Sequence, residues 1–438
     1  MGDGSAVAAT ASGLPARRWI STRQAAFIGV GSMVGAGIFS LLGAAGEVAG
    51  AAVWLSFALA GMIAALQGYS FAKLGARYPT AGGMLEYLNQ GFGRGHISTI
   101  TAWLTFMTNI IITAMVAVSF GSYASGAVAG ADPAWTKVFA ALIAIVMTGL
   151  NIAGSTFVAR VQSLIVFVVV GILALFAVVT LLNANPQLLA PSQYPPARDI
   201  VSSVALTFFA FLGFGIVTFT ARDLPDPSRQ LPRAITIAIA IAAAIYIAVA
   251  LGVFGTLTVD QVIASGPTAI AEAAKPVLGD LGFWLITVTA LFATAGATNA
   301  GLYPAVGVTE ELASTGQFPA VMAQRIGGIA NVGLVVSGLA VLVLVVLFGL
   351  SAIASIGSAV ALAIFALITA GHLRIRAETG ARLSILLLGL VAIGVSLVTF
   401  VLTTLIEEPA SVATLVVILV VSVGLDLMGP ARRAATAT

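Results

Sequence analysis

The stretch Gly31-Ser-Met-Val-Gly-Ala-Gly-Ile-Phe39 lies in the first long apolar segment of the chain, and Phe208-Phe-Ala-Phe-Leu-Gly-Phe-Gly215 lies in the sixth. Glycine is unfavourable inside a helix, yet both stretches place it within segments of membrane-spanning length. A helix that unwinds at membrane depth exposes backbone N–H and C=O groups, which must be satisfied by protein, water or a ligand. Two broken helices at matching positions therefore indicate a transport site.

The composition is typical of a polytopic helical membrane protein. Of the 438 residues, 60% are hydrophobic and 8% are charged, and the mean hydropathy is +1.10, values that a soluble domain of this size does not tolerate. Cysteine is absent and the histidines are His96 and His372, so we expect no disulfide, no metal site and no cofactor. With no buried carboxylate pair either, an enzyme is not expected.

Apolar runs of about 20 residues predict twelve transmembrane helices. Sixteen of the 19 Lys and Arg residues then fall on the face that carries the N-terminus, and only Lys137, Arg198 and Lys275 fall on the other. This bias predicts cytoplasmic termini in a plasma-membrane protein, whose partner is the lipid bilayer and not nucleic acid. The predicted spans are 24–46, 49–72, 98–120, 135–153, 157–182, 201–221, 234–257, 282–307, 331–349, 353–372, 383–405 and 412–428.

The positions of the two breaks predict an internal repeat. Because five spans is an odd number, a second unit of five spans enters the membrane in the opposite orientation, which makes a 5+5 inverted repeat. The last two helices are additions to it. The predicted parts are a cytoplasmic N-terminal tail, a first five-helix repeat, a second inverted repeat, helices 11 and 12, and a cytoplasmic C-terminal tail, over residues 1–23, 24–200, 201–376, 377–428 and 429–438.

The first break has the chemistry of a receptor for a zwitterion. Residues 35–37, Gly-Ala-Gly, carry almost no side chain, so a ligand can approach the backbone closely. The half-helix that begins near Ile38 offers free N–H groups and the positive end of its dipole to a carboxylate. Carbonyl groups at the helix ends near Met33 and near 209–212 suit an ammonium group. The alternative is that these glycines only allow helices to pack closely.

Three motifs add a family resemblance. Gly35-Ala-Gly-Ile-Phe39 is close to a Gly-Ser-Gly-Ile-Phe break, and Pro79-Thr-Ala-Gly-Gly83 leads into the third span. After the aromatic stretch Phe209-Ala-Phe-Leu-Gly-Phe214 comes Asp226-Pro-Ser-Arg-Gln-Leu-Pro-Arg-Ala-Ile235, which is similar to the signature Asn-Pro-x-Arg-x-x-Pro-Arg-Ala-Ile. Over nearly its whole length the chain resembles the amino acid, polyamine and organocation permeases with the LeuT-type fold. The resemblance implies a secondary active amino acid transporter that works by alternating access.

The resemblance also implies roles for individual residues. The backbone of residues 36–38 would hold the substrate carboxylate, and the carbonyl groups of Met33, Phe209 and Leu212 would receive its amine. Phe209 would also stand where family members place an aromatic gate. The expected substrate-binding set is Met33, Gly35, Ala36, Gly37, Ile38, Phe208, Phe209, Phe211, Leu212 and Gly213.

The coupling ion, a proton or sodium, stays open at this point. The fifth span lacks, near Val169, the lysine that some proton-coupled family members carry. Thr294 and Thr298 in the eighth span offer hydroxyl groups to a sodium ion, although threonine at helical spacing usually bonds the backbone of its own helix.

The distribution of charge predicts the class of substrate. No ionisable side chain lies near the middle of a predicted span, although charged substrates commonly recruit such groups. Helix ends alone can meet the balanced charges of a neutral amino acid, which is the expected substrate. The alternatives are a cationic amino acid or polyamine exchanger of the same superfamily, a channel, and a membrane substrate sensor.

Overall fold

The computed structural model describes residues 19–79, 83–93, 95–153, 156–302, 304–314, 316–405 and 409–435. The regular structure in these ranges is helical, apart from an antiparallel pair of two-residue strands, β1 (Arg325–Ile326) and β2 (Ala330–Asn331). The prediction of an all-α integral membrane protein is confirmed.

Seventeen α-helices make up the described chain. The first seven are α1 (Thr22–Ala36), α2 (Ile38–Ala49), α3 (Val53–Arg77), α4 (Met84–Phe92), α5 (His96–Val128), α6 (Pro133–Ala153) and α7 (Thr156–Leu182). They are followed by α8 (Ala197–Phe209), α9 (Pro227–Thr256), α10 (Val259–Ser265), α11 (Ala269–Leu302), α12 (Pro304–Ser314), α13 (Val332–Leu347) and α14 (Leu350–Arg374). The last three are α15 (Arg376–Thr379), α16 (Leu383–Phe400) and α17 (Pro409–Ala435). Tighter or wider turns occupy Gly50–Ala52, Pro191–Gln193, Leu212–Asp223, Gly266–Thr268, Ala320–Ala323 and Val401–Leu405.

Nine helical stretches in the described ranges are long and apolar enough to cross a membrane. Two shorter apolar helices, Val332–Leu347 and Ser411–Leu427, coincide with the ninth and twelfth predicted spans. The first predicted span is divided, and its second part runs into α3 through the turn Gly50–Ala52. The count of twelve spans therefore stays a prediction.

Both glycine-containing stretches interrupt their helices. Helix α1 begins with a capping box, in which Ser21 and Gln24 satisfy each other's backbone amides, and it ends before Gly37. Gly37 keeps φ −84° and ψ −74°, so this break is a one-residue distortion rather than a long unwound segment. In the sixth span, α8 ends at Phe209 and the chain continues after a short turn as the 3₁₀-helix Leu212–Asp223. The second interruption is thus the larger.

The four half-helices pack in two pairs. Helix α1 lies against the 3₁₀-helix Leu212–Asp223, and α2 lies against α8. The backbone N–H of Ile20 donates to the carbonyl of Asp223 (2.9 Å), and the Ser203 hydroxyl donates to the carbonyl of Ala45 (3.0 Å). The two broken spans therefore run side by side, with their interruptions at the same level.

Loop segments cover each end of this pair. A Cβ atom at Gly43 in α2 would overlap the carbonyl oxygen of Gly266, which belongs to the segment after α10. At the opposite end, a Cβ atom at Gly83 would lie 2.8 Å from the ring of Phe219. Gly266 and Gly83 have φ values of +51°, which favour glycine. Backbone thus meets the broken spans directly at both ends.

Candidate functional site

The two breaks meet at Gly37. A Cβ atom on this residue would overlap the Tyr246 hydroxyl oxygen and would lie 2.9 Å from the Cβ atom of Ala210, which follows the last residue of α8. Tyr246, in α9, is completely buried and donates a hydrogen bond to the Ala210 carbonyl (3.1 Å). Glycine is therefore required here by close approach, as expected where two interrupted helices touch.

A second close approach joins the same elements. A Cβ atom at Gly213 would lie 2.6 Å from the backbone nitrogen of Met33 and 2.6 Å from the carbonyl carbon of Ser32. The 3₁₀-helix that follows the second break thus rests on the backbone of α1. The predicted residues Met33, Gly37 and Gly213 are brought together by these contacts.

The backbone at each break is partly satisfied within the protein. Gly37 donates its N–H to the carbonyl of Met33 (2.8 Å), so the Met33 oxygen, expected to be unpaired, retains one lone pair for a ligand. After α8, Phe211 donates to Phe208 (2.9 Å) and Phe214 donates to Phe211 (3.1 Å). These bonds span three residues and tighten the chain into 3₁₀ geometry.

Aromatic side chains enclose the second break. Phe209 is 3% exposed, and its ring lies so close to α14 that a Cβ atom at Gly357 would overlap it and would lie 2.8 Å from Ile111 of α5. The ring of Phe208 meets Phe365 of α14 edge to face at 5.5 Å, and that of Phe211 meets Tyr246 at 5.0 Å. The predicted gate residue therefore lies between α5 and α14.

The first break faces α11. A Cβ atom at Gly35 would lie 3.1 Å from the Ala293 carbonyl oxygen and 3.1 Å from the Ala297 Cβ atom. Thr294 and Thr298 of this helix are buried, and their hydroxyl groups donate to the carbonyls of Ala290 (2.6 Å) and Thr294 (2.8 Å). Both threonines thus make the bond within their own helix that the sequence suggested as the alternative to ion binding.

Sequence reasoning missed several residues around the site. Tyr246 and Gly357 lie far along the chain from the glycine motifs, and each reads in the sequence as an ordinary membrane residue. The Ser40 hydroxyl in α2 and the Tyr123 hydroxyl in α5 are buried without a partner in the described part of the protein. Tyr123 meets Phe39 edge to face at 5.9 Å, so both hydroxyl groups lie near the start of α2. Unpaired buried hydroxyl groups are uncommon and mark this region as polar and unfilled.

Comparison with known proteins agrees with the resemblance in the motifs. A family model described as amino acid permease matches residues 20–425. The inner membrane transport protein YbaT of Escherichia coli is 31% identical over 83% of this chain and 85% of its own. The methylthioribose transporter of Bacillus subtilis is 27% identical over 70% and 69% of the two chains. The cationic amino acid transporter 2, vacuolar, of Arabidopsis thaliana is 28% identical over 67% and 49%.

Proposed function

This chain belongs to the amino acid permease family, and from that premise we propose that it moves a small neutral amino acid across the plasma membrane by alternating access. The observation that carries the proposal is the meeting of two interrupted helices at Gly37 and Ala210. Small residues at this contact leave backbone groups within reach of a ligand. The relatives are named as transporters, which supports a permease and not an enzyme.

In the proposed site, backbone groups meet both charges of the substrate. The first turn of α2, from Ile38, presents N–H groups and a positive dipole end to the carboxylate, with the Ser40 hydroxyl as an added donor. The remaining lone pair of Met33 and the carbonyls after α8 receive the ammonium group. Phe208, Phe209 and Phe211 form the apolar wall. Because Gly37 and Ala210 touch, the two spans separate when a substrate enters between them.

The preference for a neutral substrate is proposed from charge. The aromatic wall offers no carboxylate, and in the described core the buried side chains around Phe209 are apolar. An arginine or lysine side chain would bring a second cation into this region without an acid to receive it. The named relatives include a cationic amino acid transporter, so this preference is the part of the proposal most in need of a test.

Counterflow in proteoliposomes tests both the mechanism and the substrate. We expect vesicles preloaded with unlabelled alanine to accelerate the entry of labelled alanine, because a carrier returns faster when loaded. Leucine and phenylalanine should compete, whereas arginine, lysine and putrescine should not. A clear preference for arginine would show that the neutral substrate is wrong. Entry that is unaffected by preloading would point to a channel, and binding without entry would point to a sensor.

The coupling ion has its own test at α11. The hydroxyl protons of Thr294 and Thr298 are held by carbonyls of their own helix, so we propose a structural role for both residues. The isosteric double variant Thr294→Val/Thr298→Val is expected to keep uptake within roughly twofold, since each substitution removes one intrahelical hydrogen bond. Uptake is measured with sodium or choline outside the vesicles and with or without a proton gradient. Loss of a sodium response that the unaltered protein shows would identify these threonines as ion ligands.

Orientation and repeat organisation are proposed together. The basic residues support cytoplasmic termini, as they do in the sequence. The proposed repeats are residues 24–200 and 201–376. Two pairs of elements support them: α4 follows the second helix of the first unit, and α10 follows the second helix of the other, on opposite sides of the membrane under this orientation. A cysteine at Ser5 should accordingly resist an impermeant thiol reagent in intact cells, which is a convenient check because the chain has no cysteine of its own.

A further inference from the structure

A cleft of about 480 Å³ lies outside the two breaks, between the end of α3, the start of α9 and α15. Tyr69, Lys73 and Arg77 follow one another at intervals of four residues on α3, so they share one face of that helix. The cleft is lined by Tyr69, Ala72, Lys73, Ala76, Arg77, Ser228, Pro232, Glu378 and Thr379. None of these residues belongs to the proposed substrate site.

The cleft carries an uncompensated positive charge. In the described ranges, neither Lys73 nor Arg77 has a carboxylate within ion-pair distance. The carboxylate of Glu378 is occupied, because it accepts a hydrogen bond from the Tyr78 hydroxyl (2.6 Å). Burial raises the pKa of Tyr78, as does the bond to Glu378, so the phenol stays protonated and continues to donate.

The other carboxylate near the cleft is also occupied. Asp226 accepts a hydrogen bond from the Ser228 hydroxyl (2.5 Å) and lies 3.7 Å from the Arg229 side chain. The acids at the rim thus have partners, whereas the two cations on α3 do not. Tyr69 adds a donor: its oxygen accepts the backbone N–H of Arg382 (2.9 Å), which leaves its own proton for a ligand.

The same face of α3 becomes apolar toward the centre of the membrane. Met62, 58% exposed, and Ala65 precede Tyr69 by two turns and one turn. On the neighbouring helices α9 and α16, Ile237 and Leu387 are exposed at 41% and 43%. An exposed apolar strip that ends in cations at the membrane surface matches the two halves of a phospholipid, the acyl chain and the phosphate group.

We propose that this cleft binds the phosphate group of an anionic phospholipid in the leaflet that faces the N-terminus. Lys73 supplies a point charge and Arg77 a planar fork of donors, the two kinds of cation that bind phosphate oxygens. The Tyr69 hydroxyl donates to a third oxygen. The acyl chains lie along the strip that begins at Ala65 and Met62. The site is separate from the substrate site, so its test does not depend on transport.

Lipid binding is measured on the purified full-length protein in detergent. Titration with phosphatidylglycerol is expected to raise the midpoint of thermal unfolding, since a ligand that binds the folded state stabilises it, and phosphatidylcholine should not. Lys73→Gln/Arg77→Gln is expected to need roughly thirtyfold more phosphatidylglycerol for the same shift, because two interfacial cations are lost. Arg23→Gln/Arg325→Gln is the matched control, since it removes two positive charges from exposed positions on the same face.

A second variant guards against misfolding of the first. Ser228→Glu places an additional acid at an exposed position on the rim, where no packing is disturbed, and it should also abolish the shift. An undiminished response in Ser228→Glu and in Lys73→Gln/Arg77→Gln would overturn the site. An equal response to soluble glycerol 3-phosphate would overturn the assignment to a lipid, because the acyl chains would then contribute nothing.

Discussion

Replacing Gly37 with alanine is expected to abolish most uptake while leaving the protein inserted in the membrane. The added methyl group would overlap the Tyr246 hydroxyl oxygen and would lie 2.8 Å from the Met33 carbonyl oxygen. Neither atom can yield easily, since one is backbone and the other belongs to a buried, hydrogen-bonded ring. Overpacking of this kind costs about 1–3 kcal/mol, which corresponds to a loss of roughly tenfold or more in the packed arrangement. The measurement is the initial rate of labelled alanine uptake into proteoliposomes.

Gly171→Ala is the matched control for this substitution. Gly171 lies in α7 with open space around it, so the same methyl group should leave uptake unchanged. Adding Tyr246→Phe to Gly37→Ala removes the overlapping oxygen and is expected to restore part of the rate. Full transport by Gly37→Ala alone, with normal insertion, would contradict the proposed site.

Gly213→Ala is expected to impair transport to a similar extent, and also to lower the temperature of unfolding. Its methyl group would lie 2.6 Å from the Met33 nitrogen and 2.6 Å from the Ser32 carbonyl carbon. Because both are backbone atoms of α1, no side-chain rotation relieves the overlap, and the 3₁₀-helix must move away from α1. The expected loss of uptake is again roughly tenfold or more, for the same overpacking cost. Uptake and thermal unfolding are measured on the same preparation.

Gly215→Ala provides the control within the same 3₁₀-helix. A methyl group there would meet the terminal carbon of Met84 at 3.0 Å, the far end of a flexible side chain that can turn aside. Uptake by this variant should stay near that of the unaltered protein. If Gly213→Ala and Gly215→Ala behaved alike, the effect would come from helix propensity and the contact with α1 would be irrelevant.

The sequence predicts the class of fold and the level of the site for clear physical reasons. Apolar length requires membrane helices, and glycine within them marks close approach or interruption. The stretch 35–37 and the stretch 208–215 both coincide with interruptions in the structure. The extent of each interruption could not be read in this way, because Gly37 stays near helical dihedral angles while the second stretch continues as a 3₁₀-helix.

The partners of the two breaks depend on tertiary packing that no local pattern encodes. Tyr246 reads in the sequence as one aromatic residue of an apolar span, and only its hydrogen bond to Ala210 gives it a role. Gly357 likewise resembles any packing glycine until the ring of Phe209 is found against it. The cleft at Lys73 and Arg77 was equally hidden, because the sequence explains these cations by the positive-inside rule alone.

The contact of Gly43 with Gly266 has a mechanical consequence. Backbone rests on backbone at this point, so no side chain is available to act as a compliant spacer. A tilt of α2 must therefore drag the segment after α10 along with it. The external cap and the peptide groups that hold the substrate carboxylate become a single lever, and the geometry of opening is inherited from the loop as much as from the helix.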